Sequence, residues 1–467
     1  MDTNRTVRDE RGVTYTLSSR IAEGGQGAVF GTTTSGLLVK LRHASTSEDA
    51  ERIRARLDLV RRLGLGDLAV IVPASRLAPP DVGYVMEEMT GMVPMSTLSI
   101  PRDADPIAWY NRETGGLRRR LILLAKLART LAALHNRGLV YGDVSPTNLW
   151  VSADAKATEV RLIDLDNVVF SGADERTFTP HYGAPELELG EGLVSSLSDA
   201  YAFAVLAFEV LTLIHPLYGD LVQNGDPELE LDARRGLLPW IDDPNDTTNA
   251  STSGLPRAAV LTKGLQKLAQ TTFALGRGPS LTHRLNRPGL GAWADELELA
   301  ADRTVICSNC HASYFAFAAQ CPFCNAPRPA CLMVDVFLVQ PDREVFCDSG
   351  SSETLEFPPR PVARLFVTEQ ESRHLLARHA LGVGDDAIVE IGLDASDCRV
   401  RKSGDTLVEL LDRAHSASLA HAPHALTVGL QGVPIRLTAI SDYALAFGTR
   451  DDVRRVACLS YVPGAAR

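Results

Sequence analysis

A chain of 467 residues is longer than one hydrophobic core usually organises, so two or three domains are expected. Hydrophobic residues at 45% and charged residues at 22% exclude a disordered or fibrous chain. The formal charge of -11 leaves no global basic field for nucleic acid or an anionic membrane, and the basic runs at 52–62 and 118–120 alternate with aliphatics as solvated helix faces do.

Residues 1–12 are polar and resemble neither a secretory signal nor a membrane anchor, which makes the cytoplasm the expected compartment. From Thr14 the text reads as strand, glycine turn, strand, an apolar strand GLLVKLR, a charged helix over 47–63 and a strand LAVIVP. This is a small sheet-rich lobe with one helix. Within it, IAEGGQGAVF places Gly24, Gly25 and Gly27 at a turn that can bring backbone N–H groups to an anion, with Ala22 before it and Val29 after it. A plain tight hairpin would use glycines in the same way. Lys40 ends the apolar strand, where a buried ammonium needs an anionic partner. Glu51 of the following helix is the first candidate for that carboxylate and Glu48 the second; a strand-end lysine reaching for solvent is the alternative.

Beyond Pro79-Pro80 the periods lengthen, and helices are expected over 117–136 and 198–214. The longest apolar stretch, 200–214, contains Glu209 and falls short of the ~20 residues of a membrane crossing, so a buried helix is expected there. Between the two helices, LVYGDVSPTNLWV sets Asp143 and Asn148 in the spacing D-x-x-x-x-N on a loop. Asp164 follows the apolar run RLI, where a carboxylate can hold a hard cation. The segment 242–254 is polar and turn-rich, and is expected as a surface loop carrying sequons at Asn245 and Asn249. Helical text resumes over 258–274 and 291–301.

The ordered set AEGGQGAV, LLVK, YGDVSPTN, IDLD, TPHYGAPE and SDAYAFAVLAFEVLT resembles the signature series of the protein kinases, in the form found in bacterial eukaryotic-like serine/threonine kinases. The resemblance implies a bilobal fold with ATP and Mg2+ in the cleft and phosphoryl transfer to a protein hydroxyl. It makes Lys40 the phosphate-holding lysine, Asp143 the residue that orients the acceptor hydroxyl, Asn148 and Asp164 the magnesium ligands, and Asp199 the brace of the catalytic loop. YVMEEMTG is similar to the hinge that meets adenine, with Met86 as gatekeeper and the backbone of Glu87 and Met89 toward the base. Tyr141 and Gly142 stand where the family usually has His-Arg. Control by a phosphorylated loop at Ser171, Thr177 or Thr179 is therefore less expected. Ser145 replaces a lysine, and the form YGDVSPTN is also similar to kinases of choline and aminoglycosides. A small-molecule kinase and a catalytically weak nucleotide-binding scaffold are the alternatives; TPHYGAPE, which resembles a peptide platform, argues against the first.

Of eight cysteines, Cys307, Cys310, Cys321 and Cys324 form two C-x2-C pairs that can place four thiolates around a structural zinc. His311 is a spare ligand that the set does not need. The stretch resembles a zinc ribbon, and with Arg328 as its sole basic residue it does not favour nucleic acid. Cys331, Cys347, Cys398 and Cys458 are scattered, and His374, His379, His415, His421 and His424 lack metal spacing. Runs such as VDVFLV, ARLFVT, AIVEIG and RLTAI indicate a β-rich tail. The expected fold class is thus α+β: a kinase domain over 1–302 (small lobe 14–90, large lobe 91–302), a zinc ribbon over 303–330 and a β-rich domain over 331–467. This architecture is similar to that of bacterial kinases found beside a von Willebrand A-type protein and a metal-dependent phosphatase. It implies those partners, a protein substrate, and a signalling or stress-response role.

Overall fold

The computed structural model describes residues 5–99, 105–170, 178–274, 281–339, 360–412, 426–448 and 454–465. Ser171, Thr177, Cys347, His415, His421 and His424 lie outside them. The chain forms two compact units, one of residues 1–115 and 119–297, the other of 116–118 and 298–467.

The first unit opens with β1 (Thr6–Arg8), β2 (Thr14–Gly24), β3 (Gly27–Thr32), β4 (Leu37–Arg42), α1 (Ser47–Arg62), β5 (Ser75–Arg76) and β6 (Gly83–Glu87). The strands make an antiparallel sheet in the order β1-β2-β3-β4-β6-β5, whose inner face buries Val7, Tyr15, Leu17, Val39, Leu77 and Val85. Helix α1 starts where the Thr46 hydroxyl accepts from Asp49 N, and it carries Glu48 and Asp49 in its first turn against Arg61 and Arg62 in its last. Both features suit the orphan N–H groups and the dipole of a helix. The strand expected at LAVIVP is absent. Val70 makes one isolated parallel bridge to Leu162, Pro73 has no N–H to extend a ladder, and pairing resumes only at β5.

The remainder of this unit is mainly helical. Small sheets built from β7 (Met92–Pro94), β8 (Leu139–Val140), β9 (Leu149–Ser152), β10 (Val160–Leu162) and β11 (Val169–Phe170) hold the loops. The helices are α2 (Pro106–Ala108), α3 (Gly116–Asn136), α4 (Pro185–Glu188), α5 (Ser196–Thr212), α6 (Asp220–Gln223), α7 (Pro227–Arg234), α8 (Arg257–Val260), α9 (Lys263–Phe273), α10 (Leu281–Leu285) and α11 (Leu290–Asp302). Helix α5 is capped by Ser195 and Ser198 reciprocally and is buried nearly all round, the behaviour of a helix with no polar face. Among the described residues no helix is long and apolar enough to cross a membrane.

Two expectations fail here for one reason: a polar side chain can be drawn inside when its donors meet carbonyls. Arg120, read as part of a solvated face, is fully buried and donates to Val210 O, Tyr110 O and Leu98 O, each at 3.1 Å. Arg119 is buried as well, with bonds to Ala157 O and Thr114 O. Asn249, read as a surface sequon, is also fully buried, and its Nδ2 donates to Leu217 O and Pro239 O at 2.9 Å. Donors turned onto carbonyls escape the penalty of an unpaired buried polar group, although the Asn249 Oδ1 remains buried without a hydrogen-bond partner.

The second unit contains the hairpin β12 (Thr304–Ile306) and β13 (Ser313–Phe315), then β14 (Cys331–Val339), β15 (Ala363–Val367), β16 (Arg373–Leu376), α12 (Ala377–Ala380), β17 (Ala387–Leu393), β18 (Asp397–Lys402), β19 (Val408–Asp412), β20 (Leu426–Thr427), β21 (Val433–Arg436), β22 (Tyr443–Phe447) and β23 (Arg454–Val462). Two antiparallel sheets, β15-β14-β23-β22-β19-β20 and β16-β17-β18-β21, share one core that includes Val334, Leu445 and Leu459 from the first and Val389, Val400 and Ile435 from the second. The tail is β-rich as expected, but RLTAI is not a strand. Arg436 ends β21 and residues 437–442 wind into a 3-10 turn that buries Ile440. His379 is a core histidine whose Nε2 lies 2.8 Å from Asp302 Oδ2.

Candidate active site

The loop between β8 and β9 is held from below by Asp199, which stands in the first turn of α5. Its Oδ2 accepts from Tyr141 N at 2.8 Å and its Oδ1 from Gly142 N at 2.9 Å, while His135 Nε2 lies 3.0 Å from Oδ2. Gly142 sits at φ 85°, a conformation costly for residues with a Cβ, and this is the local reason for a glycine where arginine is usual. The Tyr141 side chain is fully buried; its hydroxyl donates to Ile163 O at 2.5 Å and so ties the loop to the residue before Asp164. Burial pushes its phenol well above the ordinary value, with Asp164, Asp143 and Asp199 adding to the rise. Tyr141 therefore acts there as a neutral donor.

Asp143 receives two hydrogen bonds at its carboxylate, from Asn148 Nδ2 to Oδ2 at 2.8 Å and from the Thr179 hydroxyl to Oδ1 at 2.6 Å. Asn148 spends its amide N–H on Asp143, which leaves its amide oxygen as the atom suited to a cation. Asp164 adopts φ 56°, ψ 45°, a left-handed conformation that aspartate tolerates better than most residues. Its Oδ1 lies 2.8 Å from Lys40 Nζ, and the lysine is buried while the carboxylate keeps a quarter of its side chain exposed. Asn148 and Asp164 together offer the hard oxygen donors that Mg2+ prefers.

Of the other expected residues, Gly24 pairs with Gly27 across the β2–β3 turn, and Gly24, Gly25 and Ala22 are exposed. A Cβ on Gly27 would sit 2.1 Å from Leu41 O, so the close approach of β3 to β4 requires glycine. Val29 is half-buried opposite Lys40, Met86 lies opposite Leu38, and Glu88 N donates to Gly36 O between Glu87 and Met89. Glu51 is the misplaced candidate. The face of α1 that packs inward is Ala50, Leu57 and Val60, so Glu51 and Glu48 point to solvent, and the carboxylate that meets Lys40 is Asp164.

The segment after Thr179 carries residues that sequence reasoning left without a partner. Glu186 and Arg287 form a buried bidentate pair at 2.6 and 2.8 Å, and the Tyr182 hydroxyl donates to Glu209 Oε2 at 2.6 Å. Burial raises the Glu209 carboxyl, and the Tyr182 bond only partly offsets this. His215 stacks on Tyr218 with centroids 4.0 Å apart; its Nδ1 accepts from Leu217 N and its Nε2 donates to His181 O. Burial drives its pKa down to about 3, which keeps it neutral. A glutamate in GAPE hints at a cation to come, but nothing local points to Arg287.

In the second unit, Cys307, Cys310, Cys321 and Cys324 bring their sulfurs within 4.8 Å of one another. Cys307 to Cys324 is 3.6 Å and Cys310 to Cys321 is 3.7 Å, close to the ~3.8 Å between sulfurs held tetrahedrally at ~2.3 Å from one zinc. The two knuckles repeat each other. In each, the residue after the second cysteine, His311 or Asn325, takes a positive φ and donates its N–H to the first cysteine's carbonyl. His311 thus lends its backbone to the turn, and among the described residues the cluster able to hold a metal consists of the four cysteines without it. Burial raises the Cys310 and Cys321 thiols. Cys324 is held below the ordinary value: burial opposes its ionisation and is outweighed by the Ala326 N–H, the Asn309 side chain and the neighbouring thiols.

Residues 117–258 match the protein kinase domain family. The serine/threonine-protein kinase pkn2 of Myxococcus xanthus is 34% identical over 115 residues, which are 23% of this chain and 14% of that protein. Pkn1 of the same organism is 27% identical over 213 residues, 42% of this chain and 29% of that protein. The kinase PkaA of Streptomyces coelicolor is 26% identical over 220 residues, 45% and 38% respectively. The chain spans well under half the length of these relatives. Over residues 117–258 the chain is thus similar to the protein kinase domain family and to bacterial serine/threonine kinases, and the geometry around Asp143 in the first unit fits that similarity.

Proposed function

We propose that the chain transfers the terminal phosphoryl group of Mg-ATP to a serine or threonine hydroxyl of a protein substrate, as part of a bacterial signalling or stress-response module. The observation that carries this reading is the Asp143 carboxylate, held between the Asn148 amide and the Thr179 hydroxyl with Lys40 and Asp164 paired in the same unit. Asn148 and Asp164 would hold the metal, whose charge neutralises the phosphates. Lys40 would bind phosphate oxygens in place of part of its pairing with Asp164. Asp143 orients the acceptor hydroxyl and takes its proton as the oxygen bonds to phosphorus and the bond to the ADP oxygen breaks. The backbone of Ala22, Gly24, Gly25 and Gly27, the Val29 side chain and the backbone of Glu87 and Met89 would enclose the nucleotide.

The exposed Glu51 favours a second reading, a nucleotide-binding scaffold with weak turnover, because the helix carboxylate that would hold Lys40 is turned away. The ordered segment Thr179 to Glu186, anchored by Arg287, supports a peptide acceptor over a small amino-alcohol. The four cysteines would hold one structural zinc, with boundaries of 1–302, 303–330 and 331–467 for kinase, ribbon and tail. A von Willebrand A-type protein and a metal-dependent phosphatase are the proposed partners, and the cytoplasm is the proposed compartment. The test is phosphosite mapping by mass spectrometry after incubation of the full chain with ATP and Mg2+. Phosphoserine or phosphothreonine is expected on protein and is lost in Asp164→Ala. Thermal stabilisation by ATP with no phosphorylated product would sink the catalytic reading and leave the scaffold.

A further inference from the structure

Within the helical part of the first unit lies a cavity of about 400 Å3 that shares no residue with the site around Asp143. It is lined by Phe208 of α5, Trp240 and Asp242 of the loop between α7 and α8, Arg257 of α8, and Lys267 and Gln270 of α9. That volume falls in the range of small-molecule sites, and the Phe208 and Trp240 rings, edge-on with centroids 5.9 Å apart, supply its apolar wall.

Two of the lining residues carry buried donors with no partner. Arg257 lies over the Phe208 ring, 5.5 Å from its centroid, and spends Nε on Asp242 Oδ2 at 2.9 Å and Nη1 on Leu255 O at 2.9 Å, which fixes its plane and leaves Nη2 without a hydrogen-bond acceptor. Trp240 Nε1 is likewise buried and unsatisfied. Buried N–H groups are almost always paired, so two of them beside one cavity call for an acceptor inside it. Asp242 already neutralises Arg257, and the exposed Lys267 pairs with no carboxylate among the described residues. The excess is one positive charge beside an aromatic wall.

We propose that this cavity binds a small carboxylate with a flat apolar body, its oxygens accepting from Arg257 Nη2 and Trp240 Nε1 and its charge balanced by Lys267. A doubly charged phosphate would meet only one uncompensated cation and the Asp242 carboxylate. The site is separate from the kinase chemistry, so the reading stands or falls independently of it.

The test uses the full chain titrated with phenylacetate and with its neutral counterpart phenylacetamide, followed by ligand-observed NMR and thermal shift. Phenylacetate is expected to bind about tenfold tighter than the amide, the difference of one charge-assisted hydrogen bond. Lys267→Met should weaken phenylacetate about threefold, in line with one exposed charge. Gln270→Trp, which fills the cavity from α9, should abolish phenylacetate binding while the variant still unfolds cooperatively at a melting temperature close to that of the parent chain. Equal binding of acid and amide, binding unchanged in Gln270→Trp, or no binding at millimolar concentration would mean that only water fills the cavity, and would overturn the proposal.

Discussion

Cys307, Cys310, Cys321 and Cys324 reach one another through two short knuckles of the same geometry, each closed by its own backbone hydrogen bonds. Lys40, Asp143, Asn148 and Asp164 are drawn instead from β4 of the sheet, from the loop between β8 and β9, and from the turn beyond β10. A local centre fails alone when one ligand is lost, because nothing else defines it. A dispersed centre can lose one chemical group and keep its shape, because Asp199 and Tyr141 hold the pieces from behind.

The largest effect expected from this contrast is at the knuckles. Metal analysis should find one zinc per chain, and Cys307→Ser or a strong chelator should unfold residues 303–330, since structural zinc in small modules contributes on the order of 10 kcal/mol or more. Hydrogen exchange reads the outcome, and retention of protection there without metal would break the comparison. Next is Asp143→Ala, expected to lower phosphoryl transfer by about 10²- to 10⁴-fold in a labelled-ATP assay with little change in melting temperature. A large loss of stability would show that this centre, too, is structurally self-defining.

Arg287→Ala should cost about 3 to 5 kcal/mol of stability in denaturant unfolding, because it leaves the Glu186 carboxylate buried without its cation. The smallest effect concerns acid. His215 has a folded pKa of about 3 against ~6.5 unfolded, so the unfolded chain binds the extra proton between these values. Its contribution is complete above pH ~6.5 and is lost as pH falls toward about 3, with about 2 kcal/mol of that loss falling between pH 6.5 and 5. The variant His215→Gln, which can still donate to His181 O and accept from Leu217 N, should show a shallower fall in melting temperature between pH 7 and 5.

Asp143, Asn148 and Asp164 could be singled out because they lie at motif spacings, and the clustering of the four cysteines was legible because C-x2-C is a local instruction. Glu51 was misread for a physical reason. Which face of α1 turns inward depends on Leu57 and Val60 packing, and a carboxylate count along the helix does not report that. Arg120 and Asn249 were misread because a polar residue's burial depends on carbonyls supplied by distant segments. Thr179 was visible only as a possible acceptor of phosphate; its bond to Asp143 spans 36 positions of chain.

What the sequence by itself determined is therefore the order and chemistry of the parts: glycine turn, strand lysine, Asp143 and Asn148 loop, Asp164, platform, knuckles and β-rich tail. These follow from short-range rules of backbone freedom, periodicity and ligand spacing. Tertiary structure alone decided that Lys40 meets Asp164, that Glu186 finds Arg287, and that Arg257 and Trp240 keep unpaired N–H groups beside a cavity. Such pairings are choices among many chemically similar groups, and only packing brings one of them within 3 Å.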